Sequence, residues 1–189
     1  MRPVPKGCGW LEVICGPMFS GKSDELLRRA RRAELAGLRV VVCTPRLDTR
    51  HAGEVVSHDG GRRPATAIDA PAELLLNARE ADVVCIDEAQ FLDATLGGVV
   101  EQLVQSGTRV VAAGLDRDFR TLPFGPMPEL LARAELVDKL RAVCHVCGEP
   151  ATLSQRLLDG HPAPFDGPTL LIGGHERYEA RCRAHFERG

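Results

Sequence analysis

Residues 10–23 read WLEVICGPMFSGKS. Trp10–Cys15 is a mostly apolar run of strand length. From Ser23 to Ala36, apolar Leu26, Leu27, Ala30 and Ala33 recur at helical spacing, and Gly37 follows as a stop. Between strand and helix lies Gly16-Pro-Met-Phe-Ser-Gly21-Lys22-Ser23, the G-x-x-x-x-G-K-S pattern. Glycines let the backbone wrap closely, so that successive N–H groups and the helix N-terminus face phosphate oxygens. Gly16, Pro17, Met18, Phe19, Ser20 and Gly21 are the expected cradle, Lys22 the bridge between β- and γ-phosphates, and Ser23 a ligand of Mg²⁺. The stretch therefore predicts a nucleoside-triphosphate site with ATP and Mg²⁺ as its cofactors.

Outward from this loop, strand-like and helical patterns alternate. Arg39–Thr44, Asp82–Ile86 and Thr108–Ala113 read as buried strands; Ala72–Arg79, Asp93–Gln105 and Pro128–Leu140 read as helices. Residues 46–67 are polar and turn-rich and are expected to form an exposed loop. Such alternation means an α/β fold, a parallel sheet flanked by helices. From Ala142 the texture becomes Cys-, Gly- and Pro-rich, which predicts two domains, 1–141 for nucleotide binding and a small unit at 142–189. The 189 residues carry 24 basic and 26 acidic side chains, a net −2 that lacks the field of a general nucleic-acid binder. No long uncharged apolar window predicts a membrane span, and no export signal is read at the start, so a cytoplasmic protein is expected.

A second motif is Val83-Val-Cys-Ile-Asp87-Glu88-Ala-Gln90-Phe91. An apolar strand ending in two acids places both carboxylates at the sheet edge where α/β proteins bind ligands. Asp87 is read as a Mg²⁺ ligand and Glu88 as a base toward an attacking oxygen, with Gln90 as a further contact to the nucleotide.

The seven cysteines divide into two kinds. Cys15, Cys43 and Cys85 sit in apolar runs and are expected as small buried hydrophobes. Cys144-His-Val-Cys147 and Cys182-Arg-Ala-His185 are two C-x-x-C/H pairs, the spacing of a closed Cys₃His zinc site. His145 and His175 are weaker alternatives to His185. Removing zinc is expected to release residues 148–181, between the pairs, before it affects the phosphate loop. Arg28, Arg29, Arg31 and Arg32 follow the phosphate loop and are expected on a solvated helix face.

With these motifs in order, the sequence resembles the cellular-type (type II) thymidine kinase family. The likeness rests on GPMFSGKS, Asp48–Arg50 (DTR), Ser57–Gly60 (SHDG), Ile86–Phe91 (IDEAQF), Gly114–Arg120 (GLDRDFR) and the run GHERYEARCRAHF ending at Phe186. It implies a P-loop, RecA-like core with a zinc-bound C-terminal lasso, and transfer of the ATP γ-phosphoryl to the 5′-hydroxyl of thymidine, giving thymidine monophosphate. Residue by residue it implies Glu88 as the base for that hydroxyl, with Asp48 and Arg50 near the acceptor end. Met18 and Phe119 would line the thymine pocket, Tyr178 would pack on the nucleoside, and backbone groups of Thr169, Leu170, Leu171, Ile172 and Gly173 would meet the base edge. It also implies a homotetramer and feedback inhibition by thymidine triphosphate. The sequence departs from the family pattern at His51, where tyrosine is usual, and at His185, where a fourth cysteine is usual.

A different reading of Asp87-Glu-Ala-Gln90 is a RecA-like, nucleic-acid-stimulated ATPase with a zinc ribbon, in which Glu88 orients water. Such helicase-type ATPases need two RecA-like domains, and 189 residues hold one. A zinc-ribbon binding module with a degenerate nucleotide site is the third reading, and it leaves Lys22, Ser23, Asp87 and Glu88 without a purpose.

Overall fold

Runs of valine bury both faces of their strands, so their sheet has to be covered on either side. The computed structural model describes residues 8–47, 53–56, 60–169 and 177–189. In chain order these form β1 (Trp10–Cys15), α1 (Lys22–Leu35), β2 (Val40–Pro45), β3 (Glu54–Val56), β4 (Arg62–Pro64), β5 (Thr66–Ile68) and α2 (Glu73–Asn77). There follow β6 (Val83–Ile86), a 3₁₀ turn (Ala89–Phe91), α3 (Leu96–Gln105), β7 (Arg109–Gly114), α4 (Met127–Arg133) and β8 (Leu136–Lys139). A six-stranded sheet in the order β5-β2-β6-β7-β1-β8 is parallel throughout. The α/β class read from the sequence is therefore the observed one.

Alternation along β1 shows how the two layers are built. Leu11, Val13 and Cys15 join a core with α2, α3 and α4, whereas Ile14 points to the opposite face among Leu26, Ala30 and Ala33 of α1. Cys43 and Cys85 are fully buried as expected, and burial pushes both thiols up to about 12.

Two sequence expectations are corrected. The helix expected over Pro128–Leu140 stops at Arg133, and Leu136–Lys139 is instead the edge strand β8. Local propensity favoured a helix, but Glu135 accepts the Leu11 N–H on its carboxylate (2.7 Å) and donates its own N–H to the Leu11 carbonyl (3.1 Å), drawing the chain alongside β1. Within the supposed loop 46–67, β3 and β4 form a hairpin with Val55 buried, and β5 adds the opposite sheet edge with Ile68 buried. Asp48–Arg50, His51 and Ser57–Asp59 lie outside the described residues.

The arginine run is corrected in one member. Arg31 and Arg32 are exposed, but Arg29 is buried and donates to Glu12 (2.6 Å), Glu25 (2.8 Å) and Asp138. Glu12 also accepts from Arg109 (2.7 Å) and the Trp10 indole (2.7 Å). Burial opposes ionisation of Glu12, yet the hydrogen bonds from Arg109 and Trp10 prevail and hold its carboxyl below the ordinary value. A carboxyl depressed on folding stabilises the protein above its unfolded value, about 4.3, and loses that contribution as pH falls through the folded one. Glu12→Gln, which leaves Arg109 without its anion and Arg29 with only Glu25 and Asp138, is expected to cost about 3 kcal/mol at pH 7. The variant should also lack part of the wild-type loss of stability below pH about 4.3. Denaturant melts at several pH values measure both effects.

The remaining strands lie in the C-terminal segment. They are β9 (Ala142–Val143), β10 (Pro150–Ala151), β11 (Leu153–Leu158), β12 (His161–Pro162) and β13 (Tyr178–Arg181). β9 and β10 form an antiparallel hairpin, and β12-β11-β13 is an antiparallel sheet.

Candidate active site

The carboxyl ends of β1, β6, β7 and β8 converge on the loop 16–21. The register pairs Cys15 with Gly114 on one side and with Lys139 on the other. Gly16 has φ +146°, and a Cβ there would lie 2.6 Å from the Leu140 carbonyl, so only glycine permits this approach of loop to strand end. Pro17 is buried, and its carbonyl accepts from the Ser20 hydroxyl (2.8 Å) and the Lys22 ammonium (2.7 Å). Gly21 takes left-handed φ +80° ahead of α1. Desolvation draws Lys22 below the ordinary lysine value, opposed by the carboxylates of Glu88, Asp87 and Asp116. Asp116 is buried, and pairs with Lys139 at 2.7 Å.

Asp87 and Glu88 follow β6. The Ser23 hydroxyl favours the charged form of Asp87, whose carboxylate accepts the Glu88 N–H (3.0 Å). Burial first, and the neighbouring Glu88 charge second, raise Asp87 to about 7. A hydroxyl and a buried acid together beside a phosphate loop are a donor set that suits Mg²⁺. Glu88 holds left-handed φ 51°, rare for a residue with a side chain.

Gln90 fixes the Glu88 carboxylate. Its amide donates to Glu88 and its carbonyl oxygen accepts the Leu115 N–H (2.9 Å), so both ends are engaged within the protein. Gln90 thereby braces Glu88. Room for it comes from Gly114 and Gly125; a Cβ on Gly125 (φ +50°) would lie 2.2 Å from the Gln90 carbonyl. Gly125→Ala is therefore expected to displace Gln90 and lower turnover by about tenfold or more, with nucleotide affinity nearly unchanged. Steady-state kinetics beside nucleotide titration checks this.

Two residues of the phosphate loop reach the C-terminal segment. The Met18 N–H donates to the Ser154 hydroxyl of β11 (2.9 Å). Phe19, at left-handed φ 63°, packs on the small cluster of Ala142, Cys144, Ala151 and Ala180 with Cys182. Arg117 adds a further link, donating to the Thr152 carbonyl (3.1 Å).

Cys144, Cys147, Cys182 and His185 present ligand atoms all within 4.8 Å of one another. Cys147 and Cys182 sulfurs are 3.8 Å apart, and Cys182 Sγ lies 3.2 Å from His185 Nδ1. Sulfurs about 2.3 Å from one tetrahedral Zn²⁺ are separated by about 3.8 Å, so this group can hold zinc. Burial resists ionisation of Cys144, but the N–H groups of Cys182, Cys147 and Val146 outweigh it and bring the thiol down to about 6. His145 is exposed and faces Glu179 at 3.5 Å, outside the cluster; His175 lies outside the described residues.

Phe119, Thr169 and Tyr178 are brought together, whereas Leu170, Leu171, Ile172 and Gly173, with Asp48 and Arg50, lie outside the described residues. Arg156 of β11 joins the three. Its Nε donates to the Tyr178 hydroxyl (2.8 Å), Nη2 to the Thr169 carbonyl (2.8 Å) and Nη1 to the Pro168 carbonyl, while its guanidinium lies 3.8 Å from the centre of the Phe119 ring. Sequence reasoning missed Ser154 and Arg156; an arginine inside the strand-like run Leu153–Leu158 was the available signal.

Among the described residues, no helix is long and apolar enough to cross a membrane. The family model described as thymidine kinase matches residues 9–186. A phosphate loop, an acidic pair and a Cys₃His cluster thus stand within one matched span of nearly the whole chain, which belongs to the thymidine kinase family, a family of nucleoside kinases.

Proposed function

We propose that the protein transfers the γ-phosphoryl group of ATP to the 5′-hydroxyl of thymidine, giving thymidine monophosphate and ADP. The observation that carries this reading is the carboxyl edge of the sheet after β1 and β6, where the Ser23 hydroxyl favours the charged form of Asp87 and Glu88 follows directly.

In this reading the N–H groups of residues 16–23 cradle the phosphates, and Lys22 leaves the Pro17 carbonyl to bridge the β- and γ-phosphates. Ser23 and Asp87 would hold Mg²⁺, which would neutralise phosphate charge. Glu88, held by Gln90, takes the proton of the 5′-hydroxyl as the oxygen bonds to γ-phosphorus and the bond to the β–γ bridging oxygen breaks. Phosphoryl transfer needs positioning and charge neutralisation more than covalent participation, which suits these residue types. Met18, Phe119, Thr169 and Tyr178 would line the nucleoside pocket, with backbone groups of residues 170–173 on the base edge and Asp48 and Arg50 at the acceptor end.

Zinc at the Cys₃His cluster would be structural, since four protein ligands leave no position for a reacting water. The division into residues 1–141 and 142–189 belongs to the same reading, as do a homotetramer, a cytoplasmic location and inhibition by thymidine triphosphate. Light scattering and inhibition kinetics test the assembly and the inhibitor. The decisive measurement is ADP release with thymidine and without nucleic acid. Thymidine-dependent release is the expected result; release driven by single-stranded DNA and indifferent to thymidine would overturn the proposal.

A further inference from the structure

Arg156 is 4% exposed, and among the described residues no carboxylate pairs with it. A guanidinium removed from water and lacking an anion is costly, so its partners have to replace the lost hydration. Here they do so with unusual economy of position. Three nitrogens of one fork reach three acceptors: the Tyr178 hydroxyl, the Pro168 carbonyl and the Thr169 carbonyl. The planar cation covers Phe119 at 3.8 Å and flanks the Tyr178 ring at 5.3 Å, where ring faces supply the negative potential a carboxylate would otherwise give.

These partners come from separate parts of the chain. Phe119 follows β7, Tyr178 opens β13, and Pro168 and Thr169 precede the stretch 170–177. One guanidinium thus ties Thr169 to Tyr178 of β13. Arg120 grips Thr169 from the other side, donating to its hydroxyl at 2.8 Å while Asp118 anchors Arg120 at 2.7 Å. Asp118 is itself fixed by the N–H groups of Arg120 (2.9 Å) and Leu122 (3.0 Å).

We infer that Arg156 is the positioning residue of the nucleoside pocket: it sets Phe119, Thr169 and Tyr178 in one arrangement before the nucleoside arrives. It touches neither phosphate nor the acidic pair, and its effect is on nucleoside binding. This rests on the nucleoside-kinase reading above. A lysine keeps the charge but loses the flat fork and the stacking, so Arg156→Lys is not a conservative change here.

The test is steady-state kinetics of Arg156→Lys, Arg156→Gln and Tyr178→Phe, with circular dichroism and zinc content as controls of folding. For Arg156→Lys and Arg156→Gln the KM for thymidine is expected to rise about 10- to 100-fold, with KM for ATP and kcat within about threefold. Tyr178→Phe removes the Nε acceptor; its smaller rise should fail to add to that of Arg156→Lys, because both act through that contact. Should the Arg156 variants not fold, Tyr178→Phe alone decides: an unchanged thymidine KM overturns the inference. A rise in ATP KM equal to that for thymidine, or folded Arg156 variants with wild-type thymidine KM, also overturns it. If wild-type protein phosphorylates no nucleoside, the activity reading fails, and Arg156 is judged by amide hydrogen exchange of residues 164–169 and 177–181. Faster exchange in Arg156→Lys supports a clamp; unchanged exchange removes it.

Discussion

Glu88→Gln is expected to lower thymidine phosphorylation by about 10²–10⁴-fold, the range for loss of a general base, while ATP affinity stays close to wild type. The substitution keeps the size of the side chain and a partner for Gln90, so the left-handed backbone at this position has no new reason to relax. What it removes is the ability to take a proton from the acceptor hydroxyl. Rapid-quench measurement of product formed on the enzyme, beside titration with an ATP analogue, separates chemistry from binding. Turnover retained within about threefold would move the base elsewhere and leave Glu88 an electrostatic neighbour of Asp87.

The second large effect is expected from the double substitution Cys144→Ser and Cys182→Ser. Binding of a structural metal is local folding energy, so its loss should free residues 148–181 and lower thymidine affinity by tenfold or more. Sequence reasoning alone expects ATP affinity to fall much less than thymidine affinity. The packing of Phe19 on the cluster that includes Cys144 and Ala180, with the Met18 N–H held by Ser154, gives that smaller fall a route. The phosphate loop leans on the cluster, and ATP affinity is expected to fall as well, by less than thymidine affinity. His185→Cys should retain zinc and both affinities, because a thiolate fits the same tetrahedral place. Calorimetric titration of each variant with thymidine and an ATP analogue, with zinc measured on the same samples, checks all three. Unchanged thymidine affinity in zinc-free protein would reduce the cluster to a clip remote from the pocket.

How far the sequence could be read depended on whether a signal was local. The glycine loop, the strand leading into it and the helix leaving it are determined by neighbours in the chain, and Trp10–Cys15 and Lys22–Leu35 fall where the pattern put them. The Cys₃His set was legible because metal geometry imposes spacing. Leu136–Lys139 was not, because its strand character comes from Leu11, far away in sequence. Arg29 read as one more surface arginine until its acids, Glu12 and Asp138, arrived from other strands. Arg156 failed for the same reason: its partners are two carbonyls, a hydroxyl and a ring face, none of which a motif records. Gln90 was legible as part of a motif but not as a brace, since that role needs Gly114 and Gly125 to vacate the space beside it.

The interior thiols give the molecule a lopsided chemical vulnerability. Cys15, Cys43 and Cys85 are fully buried and pushed up to about 11, 12 and 12, so they stay protonated and out of reach of oxidants and alkylating reagents. Cys8 is exposed but stands apart from the loop and the sheet edge. The sulfur whose attack would matter is gathered at Cys144, Cys147 and Cys182, where Cys147 is exposed and Cys182 half-buried, open to reagents whenever metal leaves. Oxidative damage would thus strike the seat of Phe19 first and leave the sheet intact, so a damaged molecule would keep its fold while losing its grip on nucleotide.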